Sequence, residues 1–183
     1  MPSPCASALP EYNNDCCVTL ENGGIRGVLI VKKGLSPVDP TDNAAWAALI
    51  LAGDAWAIPE TTGDYDGGSP VTAQGRGATA LRTIGYTRVA NFKVDWTCEN
   101  YEFFNNLQKQ QGLEFWFMSE NHINHSIVTA SFVPKDMIAE DLNTIREWAV
   151  TVTWNSIDFP TCYELPVPFI LDSCATLNDF LNP

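Results

Sequence analysis

Two segments of alternating side chains constrain the fold of this chain more than any other feature of its sequence. In residues 84–96 the even positions are Ile, Tyr, Arg, Ala, Phe, Val and Trp, whereas the odd positions are mostly polar or small. In residues 146–156 Trp and Val alternate with Glu, Ala and Thr. Successive side chains of a β-strand point to opposite faces, so both segments are predicted to be strands with one face in a hydrophobic core.

Arg88 is the one charged residue in the core-facing row of the first of these strands. An arginine at such a position is explained either by a paired or snorkelling side chain near the rim of a barrel or by a contact with another subunit. Both interpretations stay open at the level of the sequence.

Two helices are indicated by their end signals and their apolar periodicity. The first is predicted over about residues 40–52, where Asp39 caps the start, Trp46 lies in the buried stripe and Gly53 ends the helix. The second is predicted over about residues 97–111, with acidic residues in its first turn and a basic residue near its end. These charges match the helix dipole, and we expect its aromatic stripe to cover one side of a sheet.

The remaining apolar segments are short and are predicted to be further strands. Residues 25–31 are apolar on both faces, which predicts a strand covered on both sides, and Asn22-Gly23 before them is a hairpin signal. Other strands are predicted at 55–60, 113–120 and 125–133. The predicted fold class is α+β, mainly antiparallel β: a sandwich or small barrel with one flanking helix and a second short helix.

The chain is predicted to be one domain with extended ends. Residues 1–15 are expected to form an N-terminal arm and residues 16–160 a β-rich core. Within that core, residues 61–79 hold five glycines and are expected to be a long flexible loop or a flexible hairpin. The proline-rich residues 161–183 are expected to be a C-terminal arm that ends in a short helix and docks on neighbouring subunits.

The charge balance excludes some classes of partner. With 22 acidic and 10 basic residues the net charge is −12, so the chain lacks the cationic surface needed to bind a phosphate backbone. No apolar run approaches the length of a membrane span, and the first residues lack the pattern of a secretory signal, so we expect a cytosolic protein without a membrane partner. Its six cysteines contain no C-x-x-C spacing and are interpreted as small buried side chains or thiols of the tails, with a metal site or a late disulfide as alternatives.

Few residues of the chain form a pattern with chemistry of its own. His122 and His125 are weak candidates for metal binding, because their sequence HINH is expected to be a polar turn without a third ligand. Asp64 and Asp66 match only the first spacings of a calcium loop, so an exposed acidic turn is expected there. No nucleophile elbow or phosphate-binding loop is present, and we therefore predict no enzyme and no cofactor.

In four features the chain resembles the tail-tube and related virion structural proteins of tailed bacteriophages. These are the strand–helix–strand segment 80–121, the late strand 146–156, the glycine-rich segment 61–79 and the extended ends. The resemblance implies a β-sandwich or barrel whose copies form rings, usually of six, that stack into a tube for DNA. It also implies production in the host cytoplasm and assembly into the tail of the virion.

The resemblance gives the charge a role in assembly, and it implies that the segment 61–79 and the proline-rich arm form contacts between rings and become ordered only on assembly. An acidic lumen would repel DNA, so that DNA passes as a cargo that does not stick, and exposed sheet edges would pair between subunits. The implied partners are other copies of this chain and other tail or neck proteins. The residues expected at contacts between subunits are Arg88, Asp64, Asp66 and Arg76.

Alternatives to a tube subunit stay open. The cysteine-bearing ends also suit a head–tail connector, a neck protein or a protein that decorates the capsid. Outside the virion class, the six tryptophans suit a β-sandwich module whose exposed aromatic side chains stack on carbohydrate.

Overall fold

The structure, a computed structural model, describes residues 23–74, 81–126, 128–138 and 144–183. Its elements, in chain order, are β1 (Gly27–Lys32), α1 (Asn43–Leu51), β2 (Ala55–Ile58), β3 (Thr62–Gln74), β4 (Leu81–Asp95), α2 (Tyr101–Leu107), β5 (Leu113–Met118), β6 (His122–His125), β7 (Ser131–Met137), β8 (Glu147–Ser156), β9 (Thr161–Glu164) and α3 (Cys174–Leu181). None of the helices within these ranges has the length and apolar composition needed to cross a bilayer.

The strands form two antiparallel sheets that face each other. Strand order is β2-β1-β5-β6-β9 in the five-stranded sheet and β3-β4-β8-β7 in the four-stranded sheet. The sheets enclose an aromatic core, in which Phe92 of β4 stacks with Phe115 of β5 at a centroid distance of 6.2 Å. The predicted α+β sandwich is confirmed.

The five-stranded sheet is buried on both of its faces. Val28 and Ile30 of β1 pack between the two sheets, whereas Leu29 and Val31 pack on the other side against α1, α3 and the C-terminal segment. This second core is organised around Trp46 of α1, which meets Trp116 edge-on. The prediction that β1 is covered on both sides is confirmed, and the molecule has three layers rather than two.

Both internal helices occur where the sequence places them, but they are shorter than predicted. Helix α1 is capped by Asp42, whose carboxylate accepts hydrogen bonds from two backbone N–H groups of the first turn. Asp39, the predicted cap, instead binds the N–H and hydroxyl groups of Thr41 one turn earlier. Helix α2 begins at Tyr101 rather than near residue 97, because Thr97 accepts a hydrogen bond from Asn100 N–H in a preceding turn.

The two strongly alternating strands are confirmed, with one difference. In β8 the predicted row Trp148, Val150, Val152 and Trp154 is buried, and in β4 the row is buried from Arg88 to Phe92 and half-buried at Val94. Ile84 and Tyr86 of that row are exposed; Ile84 lies beyond the last residue of β8, and Tyr86 pairs with that last residue, Ser156.

The prediction of a long flexible loop for the glycine-rich segment 61–79 is wrong, whereas the alternative of a hairpin agrees with the pairing of its strand. Residues Thr62–Gln74 form a 13-residue strand paired with β4, and bulges near Asp66 and Val71 interrupt the register. The segment lacks apolar alternation because β3 is an edge strand with mostly exposed side chains. Residues 75–80, which include Arg76, lie outside the described ranges.

The C-terminal segment 161–183 packs on its own chain and is not a free arm. Strand β9 extends the five-stranded sheet beside β6, and residues 169–171 are fully buried in the second core. Asn43 fastens this segment, since its side chain donates to Pro168 O and accepts from Ile170 N–H. The predicted short final helix is confirmed as α3.

Of three further predictions, one is wrong and two concern residues that the structure does not describe. His122–His125, expected to be a polar turn, forms strand β6. The N-terminal arm, residues 1–15, and the first half of the hairpin at Asn22 lie outside the described part of the chain.

At Gly63 there is no room for a Cβ atom between β3 and β4, and we predict that a larger residue there destabilises the fold. A Cβ atom at Gly63 would collide with the backbone of Asn91 and would lie 2.9 Å from Phe92 Cα. Gly63→Ala is expected to lower the free energy of unfolding by about 1–3 kcal/mol, the usual cost of overpacking, measured by urea denaturation. Gly67→Ala, in the same strand with open space around its Cβ, is the matched control, and equal losses in both variants would contradict the packing argument.

Candidate functional site

The most connected polar cluster surrounds Glu114 on β5. Its carboxylate accepts hydrogen bonds from Gly34 N–H at 2.9 Å and from the Ser36 hydroxyl at 2.6 Å, and His125 Nε2 lies 3.2 Å from the same carboxylate. Trp116 Nε1 donates in turn to the Ser36 oxygen at 3.0 Å. The cluster thus joins the loop after β1 to strands β5 and β6.

His125 is held between an aromatic ring and a carboxylate. Its imidazole stacks on Trp116 with the ring centroids 3.9 Å apart and the planes 6° from parallel. A carboxylate only accepts hydrogen bonds, so the neutral ring carries its proton on Nε2. Burial lowers the pKa of His125 below its ordinary value, although the charge and hydrogen bond of Glu114 act in the opposite direction.

Glu114 is ionised within this cluster. Burial alone raises the pKa of its carboxyl group, but the hydrogen bonds from Ser36 and Gly34 and the nearby His125 outweigh burial and lower it. The serine hydroxyl is therefore bound to the carboxylate and not to the imidazole. This order differs from a nucleophile–histidine–acid triad, in which the imidazole accepts the proton of the serine.

The two histidines do not form a common site. They occupy the first and last positions of β6, and positions three apart in a strand lie on opposite faces of the sheet. Among the residues that the structure describes, no group of three or more histidine, cysteine or acidic side chains is arranged to hold a metal ion.

Arg88 is enclosed by its own chain, with 1% of its surface exposed. Its guanidinium donates to Ser156 Oγ at 2.8 Å, to Tyr65 Oη at 3.2 Å and to Gly67 O, and it lies 4.5 Å from the ring centroid of Phe159. The interpretation as a paired arginine is confirmed. The expected contact with another subunit is not supported, since a side chain so deeply buried has almost no surface to offer.

The other predicted contact residues differ in position. Asp64 and Asp66 are exposed on the edge strand β3, and Asp66 accepts a hydrogen bond from Gly68 N–H. Arg76 lies outside the described residues. Of the cysteines, Cys98, Cys162 and Cys174 are exposed rather than buried, and Cys5, Cys16 and Cys17 again lie outside the described ranges.

A two-stranded ribbon extends the four-stranded sheet at one end. Strand β4 pairs with β8 only from Tyr86 onward, whereas residues 81–85 pair with residues 71–74 of β3 alone. We call residues 71–74 and 81–85 the β3–β4 ribbon. Its apolar side chains are exposed, with Leu81 at 69% and Ile84 at 54%.

The ribbon borders an exposed apolar surface. Ile84, Val128 and Ile157 line one depression of about 350 Å³, and the exposed ring of Phe159 lies nearby over Arg88. Contiguous exposed apolar side chains of this kind mark surfaces that bind other molecules.

A second apolar surface lies at the opposite end of β4. A groove of about 500 Å³ runs between strand β2, the end of β4 and helices α2 and α3, and a smaller cavity of about 240 Å³ continues it past Trp56 and Phe103. We call this the β2 groove. Its walls are mainly apolar, and among the described residues that line it the charged ones are Glu60 and Asp95, with no lysine or arginine.

Glu60 lines this groove and binds the start of helix α3. It has a left-handed backbone with φ of 56°, and its carboxylate accepts hydrogen bonds from the N–H and thiol groups of Cys174 at the start of α3. Burial, followed by the adjacent carboxylate, raises the pKa of the Cys174 thiol. The thiol is thus kept protonated, which is the opposite of what a nucleophilic cysteine requires.

The tryptophans offer no exposed platform for a sugar ring. All six belong to the described part of the chain; four are buried, and Trp56 and Trp96 are half-buried.

Sequence reasoning did not identify the β2 groove, because four elements distant in sequence form it.

Comparisons of this chain with protein-family models, with curated proteins and with solved structures found no match.

The Glu114–His125 cluster predicts a pH-dependent stability. The pKa of His125 is lower in the folded chain than in the unfolded one. As the pH falls below the ordinary histidine pKa, the unfolded chain therefore takes up a proton before the folded chain does, and the free energy of unfolding decreases. The lowered pKa of Glu114 extends the loss to more acidic pH. Urea unfolding at about pH 7.5 and about pH 5.5 is expected to show the lower stability at the acidic value.

His125→Gln is expected to reduce this loss of stability between the two pH values. His122→Gln, in the same strand on its other face, is the control variant. If His125→Gln kept the full pH dependence of the unaltered chain, the assignment to His125 would be wrong.

Proposed function

We propose that this chain is a structural subunit of a virion that assembles with its own copies into rings, and that these rings stack into a tube like that of a phage tail. The observation that carries the proposal is the exposed apolar end of the molecule, where Ile84, Val128 and Ile157 meet beside the β3–β4 ribbon. Burial of such a surface against another subunit is favourable by about 25 cal/mol per Å² of apolar area, before the cost of association.

The charge of the chain supports a role next to DNA without binding it. At a net charge of −12, carboxylates such as Asp64 and Asp66 on the exposed strand β3 would repel phosphate groups if this strand faces the lumen. In the proposal DNA is therefore a cargo and not a ligand. Other tail or neck proteins are the further partners.

A connector, neck or decorating protein is the alternative within the same class. Such a protein would use the same exposed apolar surface, but it would form a single ring or attach to another shell. A carbohydrate-binding module has less support, because the tryptophans that would stack on sugar are buried or half-buried.

Assembly of the purified chain tests the proposal. We expect sedimentation velocity to show rings or longer assemblies at micromolar concentration, and negative-stain microscopy to show their shape, with stacked tubes for a tube subunit and single rings for a connector. The assemblies are expected not to retain duplex DNA at physiological salt. A monomer at every concentration examined would overturn the proposed function.

Ile157→Asp tests whether the apolar end takes part in assembly. Ile157 is 73% exposed, so the fold is expected to survive the change, whereas a charge in a buried interface is expected to weaken association about tenfold or more. Val38→Asp, at a fully exposed position elsewhere, is the matched control. Equal assembly by both variants would remove Ile157 and its neighbours from the interface.

A further inference from the structure

The charges of this chain are separated along its length. Residues 67–94 contain no acidic residue, although the whole chain has 22, and they hold four of its ten basic residues. One of these, Arg82, is an exposed residue of the ribbon, whereas Arg76 lies outside the described residues. The described part of the ribbon thus combines the exposed apolar side chains of Leu81 and Ile84 with one positive charge, on a chain whose net charge is −12.

The β2 groove has the complementary character. Its walls are apolar, and the charged residues that line it, Glu60 and Asp95, are both acidic. Glu99 and Glu102 add exposed acidic side chains on and just before α2, the helix that forms one wall. A segment that combines apolar side chains with a positive charge fits this surface in both respects.

The backbone of the groove is also open to pairing. Strand β2 is an edge of the five-stranded sheet, and its sequence AWAI contains neither proline nor charge. The three other edge strands are each protected by such residues: β3 contains Pro70 and two aspartates, β7 contains Pro134 with Lys135 and Asp136, and β9 contains Glu164. Proteins use proline and charge at edges to prevent pairing with other chains, so among the strands that the structure describes β2 is the edge left available.

The ribbon cannot fill the groove of its own molecule. Gly85 and Asp95 belong to the same strand β4, and ten residues of extended chain separate them by roughly 33 Å. The two complementary surfaces thus lie at opposite ends of one rigid strand. Contacts between such surfaces join subunits head to tail, and this arrangement closes into a ring or continues as a filament.

We propose that the β3–β4 ribbon of one subunit docks into the β2 groove of the next, with Leu81 and Ile84 against the apolar walls and Arg82 near Asp95. This inference rests on the proposed self-assembly and names the two surfaces that carry it. A strand of the ribbon adds to the free edge of β2, so that backbone hydrogen bonds provide affinity and the side chains provide specificity.

Two variants separate the two halves of this interface. The ribbon variant combines Leu81→Ser, Arg82→Glu and Ile84→Ser, all at exposed positions. The groove variant combines Asp95→Arg with Asn100→Arg, and both residues are exposed in the lining of the groove. Asn100 is the N-cap residue of α2, but its side chain makes no capping hydrogen bond. Each variant is expected to remain folded by circular dichroism and to associate at least about tenfold more weakly than the unaltered chain.

Mixing the two variants gives the decisive measurement. The groove variant keeps an intact ribbon, and the ribbon variant keeps an intact groove. The ribbon of the first can therefore bind the groove of the second, but the resulting pair has no further intact surface to which a third subunit could bind. We expect one-to-one dimers, and nothing larger, by sedimentation velocity and light scattering. Lys135→Glu on β7 and Glu164→Arg on β9 are the controls for charge change alone and are expected to assemble normally.

Other outcomes are distinguishable. If the unaltered chain stays monomeric, the proposed function itself fails. If it assembles and the ribbon variant assembles equally well, the function stands and the ribbon is excluded as the occupant of the groove. If both variants fail to assemble but do not form dimers on mixing, the two surfaces do not bind each other and the inference is overturned.

Discussion

The five-stranded sheet, which has to be covered on both faces, is the constraint on which the rest of this structure depends. Strand β1 and strand β5 direct apolar side chains to both sides, so one sheet against them is not enough. The four-stranded sheet covers one side, and α1, α3 and the C-terminal segment cover the other. Gly27 shows how close this second cover is, since a Cβ atom there would lie 2.9 Å from Leu171 Cβ.

This constraint explains why the C-terminal residues are part of the fold. Without residues 169–171 and α3, the outer face of β1 and the ring of Trp116 would be exposed to water. Asn43 and Glu60 bind the backbone of this segment at two separate points, so the cover is held by hydrogen bonds as well as by apolar contact. The C-terminal segment is thus part of the fold, and its helix α3 also forms one wall of the β2 groove.

Local pattern predicted the parts of this fold that bury a regular row of side chains. Strands β4 and β8 alternate, β1 is apolar throughout, and the helices carry caps and stops, so each was recognisable from neighbouring residues. Strand β3 was missed because an edge strand needs no buried row, and its pairing with β4 is a property of the tertiary structure. Strand β6 was missed for the related reason that its polar sequence is stabilised by β5, β9 and the ring of Trp116.

The candidate site was harder to predict than the fold. The Glu114 cluster joins residues 34, 36, 114 and 125, and the β2 groove joins β2, β4, α2 and α3, so neither leaves a spacing in the sequence. The sequence shows Arg88 as a charged residue in an apolar row, but only the groups that surround it in the structure show what it does there. The hydroxyl, carbonyl and aromatic groups around it make it an internal support of the ribbon's base.

The position of Arg88 connects the fold to the assembly argument. Its guanidinium binds Gly67 O on β3 and Ser156 on β8, the two strands on either side of β4, just before the ribbon leaves the sheet. A ribbon that is anchored this firmly at its base keeps its direction, and less conformational freedom is then lost when it binds. Strand β4 therefore serves both ends of the molecule: at one end it presents the ribbon, and at the other its Val94 and Asp95 form the wall of the groove. A single rigid strand that carries both surfaces fixes the relation between successive subunits, which is what a closed ring requires of its repeating unit.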